Sequence, residues 1–432
     1  MKKYNEFIFE DYSFDLATKK ARFTYSLDGE LKFTEEIIWN IEPINYDTEI
    51  LDNALFGLWI MAGISYYKAY LPNKIKIKKG KLNEEQARFF NKTYLLGLAQ
   101  FFYTNQLDWH DSINFESNTN EQYFVPSSNG EGAISALGGG KDSIVAAEIL
   151  KEAKVDTDLW AVNQAERFEN LANKMNLKIL SVARKIDPLL LELNGKDAYN
   201  GHIPITAINS FIGVVLAILT GKKSVIWAIE SSADEINTSW KGLQVNHQYS
   251  KSYEFEKEMA NYIKKNIAKD LKHYSILRPL TELRISEIFC KNYIDKYNGL
   301  FSSCNANFSL NNNGKLNWCG KCPKCAFVFI VFSPFIKKSD LLSLFNGRNI
   351  FADEDMKPII EELLGISGHK PLECVGEIAE TRLAITIAKD TGEYPELNQF
   401  DFPAVKYDYK KWSSNSIPKE VLENLKSSIS KI

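Results

Sequence analysis

The sequence predicts an α/β protein: a parallel sheet interleaved with helices, preceded by an α+β segment and followed by a helical, cysteine-bearing end. Three observations carry this. Short apolar strands alternate with helical spacing from residue 133 onward; residues 131–150, EGAISALGGGKDSIVAAEIL, read as strand, glycine loop and helix; and four of the six cysteines fall between 304 and 325. Strands that alternate with helices pair in parallel, because each crossover needs a helix to return the chain to the same sheet edge.

Residues 1–125 read as a separate α+β domain. Phe7–Phe14 and Ala21–Trp39 are aromatic and roughly alternating, broken at Asp28-Gly29 as a hairpin would be. Helical spacing follows in Ile50–Leu71 and Asn83–Tyr103, the second opening on Asn83 ahead of Glu84 and Glu85. Trp59 and His110 read as core or surface residues rather than catalytic ones. The polar stretch Glu116–Gly132 then leads to a nucleotide-binding domain over 131–300, and a zinc-cluster and helical region takes 301–432.

Candidate parallel strands are Ala133–Leu137, Thr157–Val162, Leu177–Ala183 and Ser224–Ile229. Ligands in such sheets bind outside the carboxyl ends of the strands. This brings the glycine loop, Asn163, the loop Asp197–Pro204 with His202, and the loop Glu230–Ser252 with Lys241, His247 and Lys251 around one crevice. The last loop is long and polar, but Trp240, Val245 and Tyr249 argue that it is ordered and functional.

Gly138, Gly139 and Gly140 let the backbone turn its N–H groups toward an anion, and the following helix adds orphan donors and a partial positive charge. Lys141 suits a phosphate contact and Ser143 a cap or a donor. Asp142 would be repelled by bare phosphate, so a bridging Mg²⁺ explains it. The loop is neither a Walker loop, since Asp follows Lys141, nor a dinucleotide fingerprint, since position 143 is not glycine.

Cys319, Cys322 and Cys325 are spaced by three, with Cys304 fifteen residues earlier. They supply four thiolates for one tetrahedral Zn²⁺, and with every position filled the ion is structural. The remainder reads as helices over 326–332, 339–345, 353–364 and 377–389, with Cys374 in a glycine-flanked polar loop and a tail from about 391 that shows no site.

At 432 residues, 45% apolar, 25% charged and with a net charge of -3, the chain has the composition of a globular protein without a large nucleic-acid footprint. The start, MKKYNEFIFEDYSF, has no continuous apolar stretch of signal-peptide type, and the longest apolar runs, 205–219 and 326–335, are too short to span a membrane. A cytoplasmic location is expected.

GGGKDS resembles the PP-loop of the ATP pyrophosphatases (a HUP-like fold), whose common form is S-G-G-x-D-S; Gly138 stands where the first Ser usually does. Loop plus cysteine cluster is similar to the cyano-deazaguanine synthases. LGGGKDS (137–143), NGHIPITA (200–207), VNHQYSKSYEFE (245–256), WCGKCPKCAF (318–327) and HKPLECVGE (369–377), in this order, more closely resemble the MurL family of ATP-dependent UDP-N-acetylmuramoyl-L-alanyl-L-glutamate epimerases. The resemblance implies conversion of the terminal L-Glu of a nucleotide-sugar peptide to D-Glu while ATP becomes AMP and pyrophosphate. Inverting a stereocentre takes a proton off one face and returns it on the other. Cys374 suits one partner and His202, His247 or Lys370 the other, with Lys241, Lys251, Arg284 and Lys370 offsetting substrate charge. Two alternatives stay open: amide, nitrile or thiolation chemistry on a base or tRNA, and a nucleotide-binding module without turnover.

Overall fold

Alternating apolar residues drive the front strands onto a core: Phe7 and Phe9 from β1 (Glu6–Asp15), Phe23, Tyr25 and Leu27 from β2 (Lys20–Leu27), and Phe33, Ile37 and Trp39 from β3 (Leu31–Asn40) are all buried. The structure, a computed structural model, describes residues 2–44, 46–110, 112–117, 125–308 and 316–430. Residues 118–124 of the polar stretch 116–132 therefore lie outside the described residues. The remaining strands are β4 (Lys74–Ile77), β5 (Ala133–Ala136), β6 (Thr157–Val162), β7 (Ile179–Lys185), β8 (Ser224–Trp227), β9 (Thr238–Trp240), β10 (Leu243–Val245) and β11 (Lys272–Ser275). β9 and β10 form a small antiparallel hairpin; the other nine build one sheet in the order β11-β8-β5-β6-β7-β3-β2-β1-β4.

From β11 to β7 every pairing is parallel. Counted from β5, these five strands run 3-2-1-4-5, a doubly wound order whose direction reverses between β5 and β8. The helices after the two strands leave on opposite faces, which opens a crevice at their carboxyl ends. The glycine loop follows β5 directly.

The separation expected at residues 116–132 is one of sequence and not of the sheet. β3 pairs antiparallel with β7, from Glu36 opposite Lys185 to Asn40 opposite Ser181. Without β3, β7 would expose a row of unpaired backbone groups; the front segment covers that edge. One apolar core also spans the junction, uniting Phe7, Trp59 and Phe101 with Ile134, Phe211 and Val214. The seam carries a buried ion pair. Arg184 on β7 donates through Nε to Glu35 Oε1 at 2.7 Å and through Nη2 to Glu35 Oε2 at 3.1 Å and Ser65 Oγ at 2.9 Å. Arg184→Met would strand the Glu35 carboxylate, which is fully buried. A loss of about 3–5 kcal/mol in urea unfolding is the expected result, and a loss under about 1 kcal/mol would show the seam is held by apolar packing alone.

A second core lies on the other side of the parallel strands, where the helices Lys141–Glu152, Glu282–Asn292 and Pro323–Phe332 pack together. The expected helices are present with shifted ends, including one over Glu84–Gly97 whose cap is Asn83 paired reciprocally with Gln86. The tail adds a helix, Lys419–Ser430, that buries Leu425 and Ile429 in this core. Among the described residues no helix is long and apolar enough to cross a membrane.

Candidate active site

The glycine loop turns sharply between β5 and the helix Lys141–Glu152. Gly139 has φ +73°, and a Cβ there would collide with the Phe168 ring, so only glycine fits. Gly138 has open space where a Cβ would stand, so a serine would fit there without a clash. Gly140 precedes the helix without a side-chain cap, and Ser143 Oγ donates to the Gly140 carbonyl at 2.9 Å. The first-turn N–H groups are therefore left for an external acceptor.

Lys141 does not reach into the crevice. Its side chain is 4% exposed, and Nζ lies 2.6 Å from Asp142 Oδ1 and 2.9 Å from Glu282 Oε2. Burial works against its charge, but these two carboxylates raise its pKa above the ordinary lysine value. Asp142 faces the crevice with 27% of its side chain exposed. Burial pushes its carboxyl up, and Lys141 with Lys324 outweighs that, holding it below the usual range. Glu282 moves the other way, driven well up by burial and then by Asp142.

The crevice encloses about 450 Å³ at the carboxyl ends of β5, β6 and β8. Trp160, Phe168 and Trp227 form apolar walls, and Gln164 Oε1 and Asn209 Oδ1 are buried acceptors without a partner among the described residues. A smaller chamber of about 40 Å³ adjoins it, lined by Glu230, Glu235, His247, Lys370 and Glu373. Lys251 and Cys374 line both. Lys251 Nζ donates to Cys374 Sγ at 3.3 Å. Burial opposes the lysine charge, but Cys374 and Glu230 beside it raise its pKa.

Buried Arg278 fixes this junction: Nη1 donates to the Glu230 carbonyl at 2.7 Å, Nη2 to the Lys251 carbonyl at 2.8 Å and Nε to Glu256 at 3.0 Å. Glu380, fully buried, accepts from Ser232 Oγ at 2.6 Å and from the Leu283 N–H at 3.1 Å. Two carboxylates and one guanidinium thus tie the loop 230–252 to the helices beside it.

The structure brings His247 to the small chamber and sets its ring 5.0 Å from that of His202. His247 Nδ1 meets Gln100 Oε1 at 2.7 Å, which makes Nδ1 the donor and leaves Nε2 as a free base. Burial, then Lys251, pushes His247 down to about 4; burial, then His247, pushes His202 down to about 3. Both rings are neutral at neutral pH. Lys370, paired with Glu235, is lowered to about 8 by burial.

Besides Lys141, three expected contacts are placed elsewhere. Asn163 turns away from the crevice, its amide donating to the Arg184 carbonyl at 2.9 Å and accepting from the Arg184 N–H at 2.8 Å. Lys241, at the tip of the β9–β10 hairpin, is exposed and pairs with Asp108 at 2.9 Å. Arg284 is engaged by Glu287 one turn along its own helix.

The four cysteines converge as expected. Their Sγ atoms all lie within 4.8 Å of one another, with Cys304 to Cys322 at 3.9 Å and Cys319 to Cys325 at 3.7 Å. Four thiolates about 2.3 Å from one ion make a tetrahedron with edges of about 3.8 Å. The cluster can hold a metal ion. Gly320, at φ +65°, makes the turn between Cys319 and Cys322. The knuckle abuts the glycine loop, since the Ser302 N–H donates to the Gly139 carbonyl at 3.0 Å and Ser303 packs against Gly140.

Family models described as the MurL N-terminal domain and the MurL C-terminal domain match residues 1–276 and 300–413. The chain belongs to the MurL family. The N-terminal match runs through the front segment and the whole parallel sheet to its last strand, in keeping with the shared sheet. Relatives from Micromonospora sp., Xanthomonas oryzae pv. oryzae and Salinispora tropica are each 36% identical, over 404, 395 and 397 residues; these spans cover 91%, 90% and 90% of this chain and 89%, 87% and 85% of the relatives. All three are named UDP-N-acetyl-alpha-D-muramoyl-L-alanyl-L-glutamate epimerase. As a MurL member with epimerases as relatives, the chain is an enzyme.

Proposed function

We propose that this chain is a cytoplasmic enzyme that inverts the terminal L-Glu of UDP-MurNAc-L-Ala-L-Glu to D-Glu for peptidoglycan synthesis, consuming ATP through an acyl-adenylate and releasing AMP and pyrophosphate. The observation that carries it is the meeting of the two chambers at Lys251 and Cys374, so that a carboxyl activated in the crevice would lie within reach of the Cys374 sulfur. The crevice reads as a PP-loop site for ATP. Trp160, Phe168 and Trp227 sandwich the base, Gln164 and Asn209 accept from its exocyclic amine, and the glycine loop takes the phosphates. Asp142 suits a Mg²⁺, which binds through one or two carboxylates plus phosphate oxygens and there offsets phosphate charge.

ATP is needed because an ionised carboxylate makes the neighbouring Cα–H very weakly acidic. Adenylation removes that charge and lets the carbanion delocalise into an enolate. Cys374 and Lys370 line the same small chamber and serve as the two proton-transfer groups: the Cys374 sulfur takes the α-proton from one face, and the Lys370 ammonium, lowered only to about 8 and so still protonated at neutral pH, returns one to the other. Hydrolysis of the mixed anhydride then pulls the reaction forward. The test incubates the protein with UDP-MurNAc-L-Ala-L-Glu, ATP and Mg²⁺. AMP, pyrophosphate and D-Glu after acid hydrolysis are the expected products. AMP with glutamate wholly L would replace this reading with amide or nitrile synthesis, and absence of AMP would leave a module without turnover.

The cysteine cluster reads as a structural zinc site. Elemental analysis should give one zinc per chain, and Cys319→Ser should lower the yield of folded protein, because forming such a site is coupled to folding. Folded, zinc-free protein with four titratable thiols in the cluster would overturn the assignment.

A further inference from the structure

The charges that line the nucleotide crevice do not add up to a triphosphate site if Lys141 is its cation. Three formally charged residues line it: Asp142, Lys251 and Lys324. Asp142 is neutralised by Lys141, which is itself shut between Asp142 and Glu282. Lys251 is engaged by Cys374. Lys324 alone has neither an ion pair nor a hydrogen bond among the described residues, and it lies close enough to Asp142 and Glu282 for its charge to pull both carboxyls down. A polyanion entering the crevice therefore meets one uncommitted ammonium.

We propose that Lys324 is the cation that binds the β- and γ-phosphates of the nucleotide, and that the cysteine knuckle exists in part to deliver it there. This rests on the reading of the crevice as an ATP site. Lys324 lies between two of the four thiols, Cys322 and Cys325, in the first turn of the helix Pro323–Phe332. The Cys304 arm of the same knuckle is held against the glycine loop, through the Ser302 N–H to Gly139 carbonyl bond and the contact of Ser303 with Gly140, and Cys304 Sγ lies 3.9 Å from Cys322 Sγ, so Lys324 lines the crevice together with Ser303. Its helix N-terminus faces the same anion with a partial positive charge. The leaving pyrophosphate then sits between two helix N-termini, those of Lys141–Glu152 and Pro323–Phe332, with the ammonium supplied by the second. Lys141 keeps a different task. It holds Asp142 ionised and in place.

The test is calorimetric titration of the full chain with α,β-methylene-ATP, which cannot be cleaved between those phosphates, and with AMP. A charge-assisted hydrogen bond contributes about 1.5–3 kcal/mol, so Lys324→Met should weaken binding of the triphosphate analogue by about 10- to 100-fold. AMP, which lacks the outer phosphates, should bind within about 3-fold of the wild type, and Lys324→Arg should recover most of the analogue's affinity. Unchanged zinc content and near-ultraviolet circular dichroism exclude loss of the knuckle as the cause. Equal weakening of both nucleotides, or an unchanged affinity for the analogue, would overturn the proposal while leaving the ATP reading intact. A wild-type chain that binds neither nucleotide would overturn both.

Discussion

Asp142→Asn is expected to slow pyrophosphate release by about 10²- to 10³-fold, the usual consequence of removing one preorganised charge from a transition-state site, while the protein remains folded. The substitution keeps the shape of the side chain and removes its charge. Asp142 is the one carboxylate of the lysine cluster that faces the crevice, and Lys141 with Lys324 keeps it ionised in spite of burial. Its neighbour behaves differently. Lys141→Met would leave Asp142 and Glu282 facing each other across a site in which Glu282 is 5% exposed, and a loss of about 3–5 kcal/mol of stability is the consequence. Measuring pyrophosphate release and urea unfolding on both variants separates the roles. A folded Asp142→Asn enzyme that releases pyrophosphate at the wild-type rate would remove the carboxylate from the chemistry.

The turn of the glycine loop and the convergence of the four cysteines are legible in the sequence, because each depends on residue type and local spacing. Gly139 is required by its own φ and by Phe168; the four thiols follow a spacing that one metal geometry explains. What local pattern does not carry is which side chain spends its charge on a neighbour. Lys141 resembles a phosphate ligand until Glu282, 141 positions later in the chain, is brought 2.9 Å from it by the packing of two helices. Thr281 and Glu282 read as an ordinary helix start, and nothing nearby announces the partner. Lys324 is hidden for the opposite reason, since it sits inside a metal motif and reads as a spacer between cysteines. Asn163 is at the right strand end, but its φ of +58° turns the side chain onto β7. The shared sheet is also a long-range fact, because the edge that β3 covers belongs to a strand about 145 residues away.

The largest selective effect belongs to Cys374. Cys374→Ser should release AMP and pyrophosphate yet return glutamate that is L and, in D₂O, free of deuterium at Cα, with exchange reduced by about 10²- to 10⁴-fold, the range contributed by a positioned acid–base group. A serine hydroxyl fits the same space and can keep a hydrogen bond from Lys251, but an alcohol is a far weaker acid than a thiol and supplies no anionic base. The 3.3 Å contact of Lys251 Nζ with Sγ is the structural basis for that difference. It also supplies a second readout. Lys251→Met should slow alkylation of Cys374 by iodoacetamide, because the ammonium beside Sγ is gone. Lys370 accounts for the other face. Its ammonium, still protonated at neutral pH, lines the chamber that Cys374 closes, so Lys370→Gln should block completion of inversion more than deuterium exchange from the face that Cys374 serves. A folded Cys374→Ser enzyme that adenylates its substrate and exchanges the α-proton at the wild-type rate would remove the thiol from the mechanism and move the first proton transfer to the histidine pair.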